Sequence, residues 1–179
     1  LEQDEALARE LAADPKERAE NLMIVDLLRN DLSRVCEPGT VHTDGFLRVE
    51  HHPRVHQLVS TVSGRLRNGL DVFDAIAACF PGGSMTGAPK RRAVQLLTGL
   101  EAGPRGLYSG CFGWFDSAGD AEIAMTIRSI ELRGQKGSPG LALVGAGGGV
   151  TADSEPAAEL AEKQLKAAPM LAALGVIAR

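Results

Sequence analysis

Apolar residues recur at helical spacing between residues 16 and 35. In "KERAENLMIVDLLRNDLSRV", Leu22, Val25, Leu28 and Leu32 form a stripe that Met23, Ile24 and Leu27 widen, which predicts a largely buried helix. Its start is written in Asp14-Pro15-Lys16-Glu17, with aspartate as N-cap, proline at the first helical position and glutamate three residues after the cap. Its end is expected near Pro38-Gly39, and residues 3 to 13 read as a separate helix before it. "GFLRVEHH" and "VHQLVSTVSGRL" read as strands, and "DVFDAIAACF" as a helix capped by Asp71. "PGGSMTGAPK" is a glycine-rich loop feeding a helix "APKRRAVQLLTGL". "GLYSGCFGWFD" and "AEIAMTIRSIELR", joined by Ser117-Ala118-Gly119-Asp120, predict an antiparallel hairpin. "GLALVGAG" is a further strand, and Ser154-Glu155-Pro156 opens a last helix to about residue 174. Hairpin strands with helices between them predict an α+β fold, antiparallel sheets flanked by helices.

Composition narrows the class. The chain of 179 residues is 23% charged and 44% hydrophobic, an ordinary globular balance, and its formal net charge of -4 argues against a general nucleic-acid footprint. No apolar run approaches the roughly 20 residues of a membrane helix, so no membrane partner is expected. Cys36, Cys79 and Cys111 are far apart and without metal spacing, and read as reduced, packed thiols of a cytoplasmic protein. The acidic start "LEQDEALARE" is unlike a signal peptide, and the missing initiator Met suggests a removed tag or a fragment.

The chemistry gathers in "GGGVTADSEPAAELAEKQLK". On a helix from Ser154, Glu159, Glu162 and Lys166 share one face. Such a stripe is either a solvated acid/base face with a Glu162–Lys166 pair or half of a metal-and-anion site. The backbone N–H groups of Gly147, Gly148 and Gly149, beside a helix start, form a natural anion cradle and favour the second reading. Glu17 and Glu20 repeat the pattern on the first long helix, although Glu17 also suits a capping box with Asp14. Paired carboxylates without a Cys or His cluster point to a hard ion, Mg²⁺.

Arg128 falls in a segment apolar on both parities, where it is expected to be enclosed and to need an anionic partner, a bound carboxylate or a core acid. Tyr108, the single tyrosine, is expected in the neighbouring strand. Two phosphate motifs fail. Val150 replaces the third glycine of a dinucleotide fingerprint, and Ala88-Pro89 replaces the Lys-Ser/Thr of a P-loop. His42, His51, His52 and His56 lie in one segment, but strand alternation separates His51 from His52, so no shared metal is expected.

Six segments, "AENLMIVDLLRNDLSRV", "VHQLVSTV", "FPGGSMTGAPK", "PRGLYSG", "MTIRSI" and "GAGGGVTADSEPAAELAEKQLK", resemble the chorismate-utilising enzymes in the right order from about residue 14 to 170. That family includes anthranilate, aminodeoxychorismate, isochorismate and salicylate synthases. The resemblance implies chorismate as substrate and Mg²⁺ as cofactor, with Glu20 and Glu162 as direct metal ligands and Glu17 and Glu159 holding metal-bound water. It also implies that Tyr108, Arg128 and the backbone of Gly147, Gly148 and Gly149 take a substrate carboxylate, while Ser84 and Lys166 line the same pocket. "VDLLRNDL" and "PGGSMTGAPK" look most like the aminodeoxychorismate synthase component I branch, which uses ammonia from a glutamine amidotransferase subunit or fused domain to make the precursor of p-aminobenzoate for folate. Gln57 stands where anthranilate synthases usually carry histidine, and an amide orients a hydroxyl or ammonia without acting as a general acid.

The nucleophilic lysine segment of that branch is not in this sequence. Residues 1–179 are therefore expected to be the C-terminal portion of a chorismate-binding catalytic domain, with little or no synthase activity alone. Anthranilate synthase component I and a non-catalytic binding domain are the alternatives.

Overall fold

A computed structural model of the chain describes residues 2–53, 55–135, 140–152 and 154–176, in two compact units, Leu1–Thr98 and Gly99–Arg179. In the first unit, α1 (Glu2–Ala13) and α2 (Pro15–Ser33) precede an antiparallel hairpin of β1 (His42–His51) and β2 (His56–Ser63), followed by α3 (Val72–Cys79), a single-turn α4 (Gly83–Thr86) and most of α5 (Lys90–Leu100), whose last residues begin the second unit. The Asp14 carboxylate accepts the Glu17 N–H at 2.9 Å, which is the start the sequence predicts. The Asp14 N–H, however, goes to the Leu11 carbonyl at 3.3 Å, so only half of a capping box forms here. The full box forms at Asp71 and Asp74 on α3.

Helix α2 stops at Ser33, short of Pro38. Val35 and Cys36 prolong the apolar pattern but belong to a different ladder. The Arg67 N–H donates to the Val35 carbonyl at 3.0 Å, the Glu37 N–H donates to the Arg65 carbonyl at 2.8 Å, and Cys36 bridges Leu66. On α2, Val25 is buried and Met23, Ile24, Leu27, Leu28 and Leu32 are half-buried, whereas Leu22 is 54% exposed.

One amide docks α2 on the hairpin. Asn21 donates to the Leu58 carbonyl at 3.0 Å and accepts from the Ser60 hydroxyl at 2.6 Å. Ser60 in turn accepts the Leu47 N–H at 2.9 Å, where the register shifts between Asp44 and Arg48. An apolar stripe leaves the rotation of a helix loosely set, and this directional network fixes it.

The "PGGSMTGAPK" segment is anchored from both ends. A Cβ on Gly83 would stand 2.9 Å from Leu27 Cδ1, so only glycine lets α4 approach α2 this closely. Beyond it, the Lys90 ammonium donates to Asp31 at 2.5 Å and to the Cys79 carbonyl at 2.8 Å.

In the second unit, β3 (Cys111–Phe115) and β4 (Ala121–Met125) form the predicted hairpin, with Asp116 accepting the N–H groups of Ala118 and Asp120 across the turn. The segment 121–133 is not one strand. The Thr126 N–H donates to the Gly110 carbonyl at 2.8 Å, the chain turns through Arg128 at φ 52°, and β5 (Ile130–Arg133) pairs instead with β6 (Leu141–Val144). Helix α6 (Pro156–Ala173) closes the unit. It carries Pro169 in its interior, where Pro169 and Leu165 are both exposed, so the lost backbone bond faces water. The architecture is α+β with three two-stranded antiparallel sheets among the described residues, as expected. Cys36 is buried and Cys79 half-buried, but Cys111 is exposed rather than packed. No helix among the described residues is long and apolar enough to cross a membrane.

Candidate active site

The second unit brings Tyr108, the glycine segment and the acidic face of α6 together. Tyr108 lies in the turn before β3 rather than in a strand. That turn is clamped on several sides. Arg105 donates to the Ser109 hydroxyl at 3.0 Å, Glu131 accepts the Leu107 N–H at 3.4 Å, and the Ser109 N–H donates to the Thr126 carbonyl at 2.9 Å. Arg105 in turn holds the Glu101 carboxyl below its usual range, and Arg133 does the same to Glu131.

So fixed, the Tyr108 side chain runs close along the glycine backbone. A Cβ on Gly145 would fall 2.3 Å from Tyr108 Cγ, and one on Gly147 would fall 3.0 Å from the Tyr108 hydroxyl. The next glycine meets the helix. A Cβ on Gly148 would stand 3.0 Å from Glu159 Oε2 and 3.7 Å from Glu162 Oε1. Glycine is required at 145, where the root of the Tyr108 side chain leaves no room for a Cβ, while at 148 the crowding atoms are the ends of two flexible carboxylate side chains.

Helix α6 has no side-chain cap from Glu155. Ser154 organises its start instead, accepting the Thr151 N–H at 2.9 Å and donating to Glu159 Oε1 at 2.6 Å. Glu159, Glu162 and Lys166 are half-buried while Lys163 and Gln164 are exposed, so the predicted stripe faces the glycine segment and not bulk solvent. Lys166 pairs with Glu162, as an i,i+4 spacing allows. The Glu162–Lys166 pair of the first reading is thus present, on a face that is half-buried rather than solvated.

Arg128 departs from expectation. It is exposed, at a positive φ between β4 and β5, because the strand that was to enclose it breaks after Met125. Gly149 is exposed beside Gly148.

The remaining residues lie in the first unit. Glu20 is half-buried, 3.9 Å from Lys16, and Glu17 is exposed one turn earlier. Gln57 is exposed on β2 opposite Glu50, and Ser84 is exposed on α4. Sequence reasoning missed three positioning groups. Asp31 sits three residues after Leu28, on the apolar stripe, which was the available signal for a buried partner. Asn21 gave no local signal, since its partners Leu58 and Ser60 are set by tertiary contact, whereas Ser154 bonds locally, to Thr151 and Glu159 at the helix start.

A glycine loop bordered by two carboxylates, a phenol and an amine marks the candidate site on this α+β frame. The sequence signature of chorismate binding enzymes matches residues 1–172, and the chain belongs to that family. It is 51% identical over 172 residues to the aminodeoxychorismate synthase of Streptomyces pristinaespiralis, covering 96% of this chain and 23% of that protein. It is 48% identical over 173 residues to anthranilate synthase component 1 of Mycobacterium tuberculosis, covering 97% of this chain and 33% of that protein. The crystal structure of anthranilate synthase component I from Streptococcus pneumoniae superposes with a TM-score of 0.80 at 37% identity, over 94% of this chain and 38% of that one. The chain thus spans about a quarter to a third of the length of the curated relatives it matches.

Proposed function

We propose that this chain is the metal- and carboxylate-binding portion of an aminodeoxychorismate synthase component I. In this reading the whole enzyme replaces the 4-hydroxyl of chorismate by an amino group, using ammonia from a glutamine amidotransferase subunit or domain, for p-aminobenzoate and folate synthesis. The observation that supports it most is the meeting of Glu159, Glu162 and the Tyr108 hydroxyl around Gly147 and Gly148 in a chain of this family.

The donor set fits Mg²⁺, because the carboxylates are hard oxygen ligands and no thiol or imidazole stands among those meeting Gly148. An ion held by these carboxylates would supply positive charge for a substrate carboxylate. Within the second unit, Glu162 would be a direct ligand and Glu159 would hold metal-bound water. Ser154 keeps the Glu159 carboxylate turned toward the glycine loop. Lys166 shares Glu162 and offers its remaining N–H donors to the anionic substrate. Tyr108 presents its hydroxyl, and Gly147, Gly148 and Gly149 their N–H groups, to a carboxylate. The exposed guanidinium of Arg128 is accessible for a bidentate contact with the same ligand class.

Product identification tests the assignment. A polypeptide carrying this chain together with the upstream segment that its relatives have is given chorismate, Mg²⁺ and ammonia. Aminodeoxychorismate, converted to p-aminobenzoate only on addition of a lyase, supports the proposal. Direct appearance of fluorescent anthranilate with pyruvate overturns it in favour of anthranilate synthase component I, the reading that the 48% identity to that enzyme keeps open.

A further inference from the structure

The first unit holds a second cluster of metal-ligating side chains, unrelated to the carboxylates above. Strand alternation separates His51 from His52, but the hairpin brings His51 opposite His56, and their rings meet edge to face with centroids 4.7 Å apart. Helix α1 adds Asp4, whose Oδ1 lies 3.0 Å from His56 Nε2. Each of the three offers a ligand atom within 4.8 Å of the other two, and among the described residues this is the group of three or more such side chains that does so.

We propose that Asp4, His51 and His56 form a binding site for a divalent transition ion of the zinc class. The chemistry of the donors selects the ion. Two imidazoles and one carboxylate suit Zn²⁺ and its neighbours, whereas Mg²⁺ prefers an all-oxygen shell. The geometry is close to what the ion needs. Two ligands about 2.0–2.1 Å from a tetrahedral zinc stand about 3.3 Å apart, and the Asp4–His56 contact is already at 3.0 Å. His51 and Asp4 are exposed, so small side-chain rotations draw the third ligand in without moving the backbone.

A second observation points the same way. The His56 side chain is only 10% exposed, and its Nδ1 is buried without a hydrogen-bond partner among the described residues. The ligand atom of His56 is Nε2, the nitrogen already on Asp4, and burial of the ring fixes the direction in which that atom points. Three protein ligands leave one position for water, on the solvent side where Asp4 and His51 lie. Because Asp4 belongs to α1 and the histidines to the hairpin, the bound ion would also clasp α1 against β1 and β2.

The test is zinc binding by competition with a chromophoric chelator, using the whole chain. One Zn²⁺ per chain is expected, with Co²⁺ in its place giving the visible absorption of an imidazole-ligated, four- or five-coordinate ion. His51→Ala and Asp4→Asn alter exposed positions, and circular dichroism verifies that their fold is kept. Each should weaken zinc binding by more than about tenfold, since loss even of an outer partner of a metal site costs about that much. Amide exchange should slow across residues 4 to 11 of α1 on zinc addition, in the wild type alone. The proposal is overturned if the wild-type chain leaves zinc with the chelator, which makes Asp4–His56 a simple ion pair. It is also overturned if both variants keep wild-type affinity and cobalt spectrum, which puts the ion elsewhere.

Discussion

Oε2 of Glu159 stands 3.0 Å from the point where a side chain on Gly148 would begin. The contact ties the glycine loop to α6 and makes the loop a readout of the carboxylates. The colliding atom is the far end of a flexible side chain, so Gly148→Ala shifts the Glu159 carboxylate by a few tenths of an ångström without unfolding the unit. The expected outcome is weaker Mg²⁺ binding with a melting temperature close to wild type, read by calorimetric titration and thermal unfolding. An unchanged Mg²⁺ affinity would detach the loop from the metal.

Gly145→Ala should behave in the opposite way. The added methyl falls 2.3 Å from Tyr108 Cγ and 2.6 Å from Tyr108 Cβ, at the rigid root of the side chain. Overpacking of this kind costs about 1–3 kcal/mol. At about 2–4 °C per kcal/mol for a chain of this size, the melting temperature should drop by several degrees. A melting curve superimposable on wild type would contradict the packing of Tyr108 on the glycine backbone.

The Asp31–Lys90 pair is buried, with side chains 7% and 17% exposed, so removing one partner strands the other. Lys90→Met or Asp31→Asn alone is expected to cost about 3–5 kcal/mol, and Asp31→Leu with Lys90→Met to recover much of it. Urea unfolding of the two single variants and the double variant measures the coupling. Equal, additive losses would mean that the pair does not hold "PGGSMTGAPK" to α2.

How far the sequence carried is visible in these residues. The α2 start was legible because Asp14 and Pro15 act locally, and the face shared by Glu159, Glu162 and Lys166 was legible because helical spacing alone puts them there. The end of α2 was not, since Val35 and Cys36 continue its apolar pattern while bonding to residues 65–67. Nor was the break after Met125, where no glycine or proline marks the turn and pairing with β6 decides it. Arg128 was therefore expected inside and lies outside. The apposition of Tyr108 to Gly145 and of His51 to His56 is tertiary. Composition, spacing and alternation along one strand carry no information about it.

Cys79 gives a pH signature. Burial raises its thiol above the ordinary value of 9.0, and the Asp31 carboxylate raises it further. The folded chain thus keeps this proton at a pH where the unfolded chain has lost it. Its contribution to stability is complete below about pH 9 and fades as the pH climbs from there through the raised folded value. The urea midpoint of the wild type should fall more between pH 8 and pH 10 than that of Cys79→Ala, and parallel falls would contradict it. At pH 8, a thiol alkylating agent should mark exposed Cys111 first.

In the proposed function, the carboxylates of α6 bind chorismate through Mg²⁺. Calorimetric titration of chorismate into this chain, with and without Mg²⁺, tests it without requiring turnover. The account predicts binding that depends on Mg²⁺ and falls by about tenfold or more in Glu162→Gln. Binding indifferent to Mg²⁺ and to Glu162, or no binding by the folded chain, would contradict it and leave a non-catalytic domain as the better description.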